Sequence, residues 1–408
     1  MTGPLGGHLV TVVGVGADGV LAAGCEALVR EADVLMGGRR HLDLVPEVEG
    51  QERRPWPTPL APSLPGLLEE LRGRRVVALA SGDPMVSGIG TTLVRALGTE
   101  AVRVVPAVSS VALARARMRW SDEESVVVTL VGRHEARVLR EVAPGRRILA
   151  LTSGSETPAI VGELLSETGH PDAVITLLGD LGSAAESRSV KTAQEWAQVA
   201  AADVPSLHVL AIEFPEDAGT RRASWVAGLP DDAFENDGQL TKRDLRASAL
   251  ARLSPAPGQH LWDVGAGAGS VGIEWMRAHP SCRTTAVEAD PERAARVSRN
   301  AVRLGVPDLR VVEGRAPDAL AGLDAPDAIF IGGGATRPGV LAACLAALRP
   351  GGRLVVHGVT LETESLIAEA YRTHGGELTR LAVESTHPVG TFTGWTPLRT
   401  VTQWSLYV

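Results

Sequence analysis

The feature that most constrains this chain is a repeated alternation of short β-branched runs with stretches of helical character, first from residue 8 to about 213 and again from 260 onward. The first series reads HLVTVVGV at 8, RRVVALA at 74, AVRVVP at 101, SVVVTLV at 125, RRILALT at 146, AVITLL at 173 and LHVLAIEF at 207. Strands that alternate with helices pair in parallel, because the helix returns the chain to the starting edge of the sheet before the next strand begins. An α/β architecture is the expectation. A strand ends at Pro106, a helix-like stretch carries Arg115, Arg117 and Arg119, and a polar SDEES follows. That break divides the first half into lobes of about 1–110 and 121–213.

Residues 214–239 lose apolar periodicity and collect Gly, Pro and acids in EDAGT, GLPDD and ENDG, as expected of a linker between domains 1–213 and 240–408. The second series runs HLWDV at 260, RTTAVE at 283, LRVVE at 309, DAIFI at 327, GRLVVH at 352, ELTRLAVE at 377 and TVTQWSLYV at 400. Helical stretches separate the first five strands, and none is evident between the last two. This pattern predicts a Rossmann-like, mostly parallel seven-stranded sheet that ends in an antiparallel hairpin.

Several function classes are set aside by composition and by missing motifs. A formal net charge of −8 argues against a general affinity for nucleic acid or anionic membrane. Cys25, Cys282 and Cys344 lie far apart, so neither a disulfide framework nor a cysteine zinc site is expected, and the reducing cytoplasm is the expected compartment. Leu21–Cys25 superficially resembles a lipoprotein cleavage site, but the first basic residue is Arg30 and Asp18 interrupts the apolar stretch, so it is rejected. The histidines form no i, i+4 pair and no acidic cluster has ligand spacing, so no metal is expected. Neither a G-x-S-x-G elbow nor a P-loop is present to carry hydrolase or nucleotidase chemistry.

The sharpest local signal is LWDVGAGAGSVGIEW, an apolar strand, a glycine turn and an apolar helix. Such a turn brings a ligand close to the backbone at a helix N-terminus. Gly267, Gly269 and Gly272 satisfy the dinucleotide pattern G-x-G-x-x-G, so NAD is one candidate. Asp263 inside the strand end and Gly265 directly after Val264 favour S-adenosylmethionine, since they make Gly265, Ala266, Gly267, Ala268 and Gly269 the turn and leave Gly272 in the helix. Glu288 ends the next strand, 23 residues after Gly265, where a carboxylate would hold both ribose hydroxyls. A glycine turn without ligand stays as an alternative. Further on, Glu313–Pro317, containing Ala316, follows the third strand where an adenine pocket would lie. Gly332, Gly333 and Gly334 follow the fourth, where a bulky ligand could approach the backbone or a simple loop could run. Thr241, with Asp244 three residues later, reads first as a helix cap and second as a cofactor contact.

In the N-terminal half, Gly14–Gly19, Ser81–Pro84 and Pro106–Ser110 each follow a predicted strand, at the edge where ligands of open α/β sheets bind. Together these motifs resemble the tetrapyrrole methylases, whose two α/β lobes hold S-adenosylmethionine. LVGRHE at 130, LTSGSETPAIVGELL at 151 and GDLGSAAESR at 179 look like the branch that methylates precorrin-6 species. The part from QLTKRDLRASAL through DVGAGAGSVGIEW to the triple glycine resembles the decarboxylating methylase of the same pathway. The first loop departs from the family's Gly-Pro-Gly-Asp, having Gly16–Ala17–Asp18–Gly19 instead.

The resemblance implies one S-adenosylmethionine per domain. In the first it would meet Ala17, Ser81, Gly82, Asp83, Val86, Ser109, Ser110 and Val131; in the second Thr241, Gly265–Gly269, Glu288 and Ala316, with substrate beside Gly332–Gly334. It implies methylation of a precorrin at C5 and C15 with decarboxylation of the C12 acetate, giving precorrin-8 in cobalamin biosynthesis, by a homo-oligomeric enzyme needing no nucleic acid or membrane. No catalytic side chain is indicated. An RNA or protein methyltransferase with an N-terminal binding module, a non-catalytic tetrapyrrole carrier and an NAD oxidoreductase are the competing readings.

Overall fold

The computed structural model describes residues 9–215 and 224–408, so His8 of the first strand run and the EDAGT segment lie outside the described residues. The chain packs as two compact units, one of residues up to 133 with 146–214, the other of 134–145 with 215–408.

In the N-terminal unit, β1 (Val10–Val15), β2 (Val34–Gly37), β3 (Glu52–Pro55), β4 (Val76–Ser81) and β5 (Val102–Val105) form an all-parallel sheet in the order β3-β2-β4-β1-β5. The β2 and β3 strands escaped the sequence reading. The first is only VLMG, and the second is the charged, half-exposed edge ERRP, which has no apolar signal. A second sheet is built from β6 (Ser125–Thr129), β7 (Arg147–Leu151), β8 (Val174–Gly179), β9 (Ser187–Thr192) and β10 (His208–Glu213), in the order β6-β7-β10-β8-β9. Here the expectation of parallel pairing is corrected: in this sheet β6 and β7 alone pair in parallel, and β10 inserts antiparallel between β7 and β8. The helix Thr157–Glu167 crosses from β7 to β8 leaving one strand's width free, and the chain returns through β9 to fill it from the opposite direction.

The C-terminal unit holds β11 (His260–Val264), β12 (Arg283–Glu288), β13 (Arg310–Glu313), β14 (Ala328–Ile331), β15 (Arg353–Gly358) and β16 (Glu377–Leu381). A separate hairpin of β17 (Glu384–Val389) and β18 (Phe392–Pro397) precedes β19 (Val401–Tyr407). The seven-stranded sheet runs β13-β12-β11-β14-β15-β19-β16, parallel except at β19, which pairs antiparallel with both neighbours. Helices cover both faces, so β11 buries Leu261 on one side and Trp262 and Val264 on the other. Between β13 and β14 the expected helix is a single 3-10 turn, Asp318–Leu320.

Two stretches are packed where the sequence suggested a linker or a lobe interior. Leu229, Ala233 and Phe234, in the stretch 214–239, are buried in the C-terminal core. They are tied down by a buried pair, Arg246 Nε to Glu274 Oε1 at 2.6 Å, whose carboxylate also accepts from Gly228 N at 2.6 Å and Leu229 N at 2.9 Å. The Arg246 guanidinium lies 4.7 Å from the centroid of the Phe234 ring. His134–Gly145, which connects β6 to β7, also belongs to this unit: Ala136 and Val138 are fully buried, and Arg140 donates to the Arg277 carbonyl at 3.0 Å.

Candidate functional site

Three loops meet at the carboxyl edge of the first sheet, because β4 and β5 flank β1. Gly82 N donates to the Val15 carbonyl at 2.9 Å and Ala107 N to the Gly82 carbonyl at 3.1 Å. The approach is close: a Cβ on Gly14 would stand 2.1 Å from the Gly82 oxygen. Gly82 itself has φ +51° and a Cβ there would lie 2.7 Å from the Val108 oxygen, so glycine is required on both counts. Asp83 closes its own turn, Oδ1 accepting from Met85 N at 2.8 Å, and Val86 N returns to the Asp83 carbonyl. Ser109 caps the helix Ser110–Met118 by accepting from Ala112 N at 3.1 Å. Ser81, Gly82, Asp83, Val86, Ser109 and Ser110 are therefore gathered at one edge. Ala17, in the loop after β1, approaches the turn after β8, where a Cβ on Gly182 would stand 4.0 Å from its methyl. Val131 follows β6 in the other sheet and is half exposed.

Two residues at this edge went unnoticed in the sequence. His41 Nε2 lies 2.7 Å from Ser81 Oγ, and Arg40 Nη2 donates to the same oxygen at 3.2 Å. Burial, and then the Arg40 charge, hold the imidazole pKa down at about 4, so the ring is neutral at neutral pH. The available signal was Gly37–Gly38 followed by Arg39–Arg40–His41 directly after a strand.

In the C-terminal unit the glycine turn follows β11 as expected. All five of its backbone N–H groups are engaged: Gly265 and Ala266 with the Val287 carbonyl, Gly267 with Glu288 Oε2 at 2.8 Å, Ala268 with the Gln239 carbonyl and Gly269 with that of Ala266. This bears on the cofactor. A dinucleotide needs unpaired N–H groups for its pyrophosphate, and those of this turn are used. S-adenosylmethionine carries no phosphate, and each Glu288 oxygen has a single backbone partner, Oε1 accepting from Asp290 N at 3.0 Å, so lone pairs remain for ribose hydroxyls. The residues fit the methyl donor.

The structure also changes why the turn needs glycine. Gly267 has φ +58° and a Cβ on it would lie 2.7 Å from the Gln239 carbonyl, while one on Gly265 would meet Gly333 O at 2.7 Å. The space is filled by protein backbone, not kept open for a ligand. Gly333 thereby adjoins the turn, and the exposed Gly332–Gly334 run reaches the same edge, with Gly332 N donating to the Val264 carbonyl. Gly314 N donates to the Glu288 carbonyl, which holds the loop containing Ala316 beside β12. Thr241 is corrected: the helix Arg243–Leu253 is capped at Lys242 without a side-chain bond, and the Thr241 carbonyl accepts from Arg246 Nη1 at 2.5 Å. The buried arginine takes that end of the segment. Asp263, unremarked as a titrating group in the sequence, is fully buried; burial pushes its carboxyl up to about 7, the Gly272 N–H opposing and the Glu288 charge adding.

No helix of the described residues is long and apolar enough to cross a membrane. Residues 9–197 match the family model of tetrapyrrole (corrin/porphyrin) methylases, and residues 232–408 match that of the precorrin methyltransferase domain. Fold and site thus define a chain of two methyltransferase domains of different architecture. It is 44% identical over 398 residues to the precorrin-6Y C(5,15)-methyltransferase [decarboxylating] of a Sinorhizobium species, covering 97% of this chain and 95% of that protein. The Mycobacterium tuberculosis protein of the same name is 42% identical over 401 residues, 98% of this chain and 99% of its own. A cobalt-precorrin-6B C(15)-methyltransferase (decarboxylating) of Salmonella typhimurium is 34% identical over 156 residues, 37% of this chain and 80% of its own. The chain belongs to the precorrin-6Y C(5,15)-methyltransferase (decarboxylating) family, S-adenosylmethionine-dependent enzymes of cobalamin biosynthesis.

Proposed function

We propose that this chain methylates a precorrin-6 intermediate at C5 and C15 and removes the C12 acetate carboxyl, giving precorrin-8, with one S-adenosylmethionine bound in each unit. The observation that carries this reading is that both units end their central strands in glycine-lined loops at one sheet edge, in a chain alike over nearly its full length to precorrin-6Y methyltransferases. The donor supplies an electrophilic methyl group. The protein's residues align and shield: Glu288 holds the ribose in the C-terminal unit with the Gly265–Gly269 turn and Ala316 around it, and Thr241 borders the pocket. In the N-terminal unit Ala17, Ser81–Asp83, Val86, Ser109, Ser110 and Val131 do the same. The substrate's electron-rich meso carbons need positioning and exclusion of water more than a strong base. Gly332–Gly334 let the macrocycle lie close to the backbone.

C15 methylation and decarboxylation are assigned to the C-terminal unit, leaving C5 to the N-terminal one. A relative named for both of the former reactions spans 37% of this chain, which is room for a single unit. A cytoplasmic homo-oligomer completes the proposal. Cys25, Cys282 and Cys344 are buried free thiols, and the isolated β17–β18 hairpin exposes Phe392 (79%) and Trp395 (71%), an apolar surface suited to a second copy. Incubation with precorrin-6 and donor, followed by mass spectrometry and carbon dioxide measurement, tests the reaction: two methyls and one carbon dioxide are expected. Calorimetric titration with S-adenosylhomocysteine should find two sites, and a single site defeats the assignment of one donor per unit.

A further inference from the structure

We propose that Arg40, held in place by Ser81 and His41, is a carboxylate-binding residue of the N-terminal site and receives an acetate or propionate side chain of the macrocycle. This rests on the reading that the N-terminal unit acts on a polycarboxylate tetrapyrrole.

The cluster joins parts of the chain brought together by strand order. Adjacent β2 and β4 pair in parallel; Arg40 lies in the short helix just after β2, and Ser81 is the last residue of β4, immediately before Gly82 of the donor loop. Arg40 Nη2 donates to Ser81 Oγ at 3.2 Å, and His41 Nε2 meets that oxygen at 2.7 Å. His41 is partly buried beside Gly37 and Gly38, with Ser81 at hydrogen-bond distance from its Nε2. The depressed imidazole pKa keeps a second positive charge away from the guanidinium, so the ring serves as a neutral hydrogen-bonding brace.

Arg40 has no acid beside it, as is also true of Arg30, Arg39, Arg53, Arg95 and Arg103 among the described residues, and it differs from these in donating to Ser81 beside the glycine loop. Arg54, Arg72, Arg74 and Arg75 of the same lobe each meet a carboxylate. Among the described residues none pairs with Arg40, whose side chain is exposed with one nitrogen engaged by Ser81. A guanidinium has five N–H donors in a fixed fork that matches a carboxylate, and one whose direction is set by a neighbour loses little freedom on binding. An oriented, acid-free arginine one residue from the donor loop is a receptor for an anionic group of the molecule being methylated.

The full-length enzyme with Arg40→Gln, Arg40→Lys and His41→Gln tests this. For R40Q the KM for precorrin-6 in the N-terminal methylation should rise by about tenfold or more, with S-adenosylhomocysteine affinity and carbon dioxide release kept. R40K should recover part of the loss, having the charge without the fork, and H41Q should raise KM less than R40Q. An unchanged KM in R40Q, or an equal fall in S-adenosylhomocysteine affinity, overturns the proposal. Binding of uroporphyrin III and its octamethyl ester separates this from the reaction itself. If wild-type enzyme binds the acid through Arg40 but transfers no methyl to precorrin-6, the subsite stands and the reaction assignment fails. If wild type methylates and R40Q does so equally well, the subsite fails and the reaction stands.

Discussion

Replacing Glu288 with alanine separates what this carboxylate does for the glycine turn from what it does for the methyl donor. Its two oxygens accept from Gly267 N at 2.8 Å and Asp290 N at 3.0 Å, in a side chain only 7% exposed. Hydrogen bonds to a charged acceptor contribute about 1.5–3 kcal/mol each, and water entering the vacated space restores part of this, so folding stability should fall by about 2–4 kcal/mol. Donor binding should weaken separately. Losing a bidentate hold on two ribose hydroxyls costs roughly 1–3 kcal/mol, or about 5- to 150-fold in Kd. Glu288→Gln keeps the size and one acceptor but turns an amide NH2 toward a backbone N–H, so it should be intermediate in both. Calorimetric titration with S-adenosylhomocysteine reads the C-terminal site, and urea unfolding of the same samples reads stability. A fall in stability with an unchanged Kd would refute the binding role and leave Glu288 as a brace for the turn. Binding of NAD by the wild type, lost in the variant, would refute the choice of cofactor.

Gly267→Ala places a Cβ 2.7 Å from the Gln239 carbonyl at φ +58°, and a loss of about 1–3 kcal/mol in urea unfolding is expected even without donor; an unaffected apo stability would show that the glycine serves the ligand alone. Arg246→Met strands Glu274, 4% exposed, beside the N–H groups of Gly228 and Leu229 and should cost about 3–5 kcal/mol, with Arg246→Met/Glu274→Gln recovering part of it by thermal unfolding. Asp263 has a folded pKa of about 7 against 3.8 unfolded, so its contribution is fully present below about pH 4 and is lost as pH rises through 7. Asp263→Asn should therefore gain about 2–3 kcal/mol relative to wild type between about pH 5 and pH 8, and parallel stability curves would contradict the raised pKa.

Much of the architecture was legible because it is written locally. Short β-branched runs marked β1, β4 to β8, β10 to β16 and β19, and the turn at Gly265–Gly269 with Glu288 one strand later could be read within about 25 residues of sequence. Strands without an apolar signal could not: β3 is ERRP, β9 is SRSVKT, and β17 and β18 form a hairpin on the surface. Their pairing comes from neighbours in space.

What this sequence determined by itself was therefore two successive α/β series, the glycine turn after β11 and the carboxylate beside it, since each depends on the chemistry of adjacent residues. Tertiary structure decided the antiparallel insertion of β10, the burial of Phe234 by the Arg246–Glu274 pair, and the meeting of His41 with Ser81 across two neighbouring strands. It also decided what the glycines of the turn are for, because the Gln239 and Gly333 backbones that crowd them come from distant segments. Periodicity and turn propensity specify a strand and its loop. Which loops share an edge follows from strand order, and that order is set by how the whole chain buries its apolar faces at once.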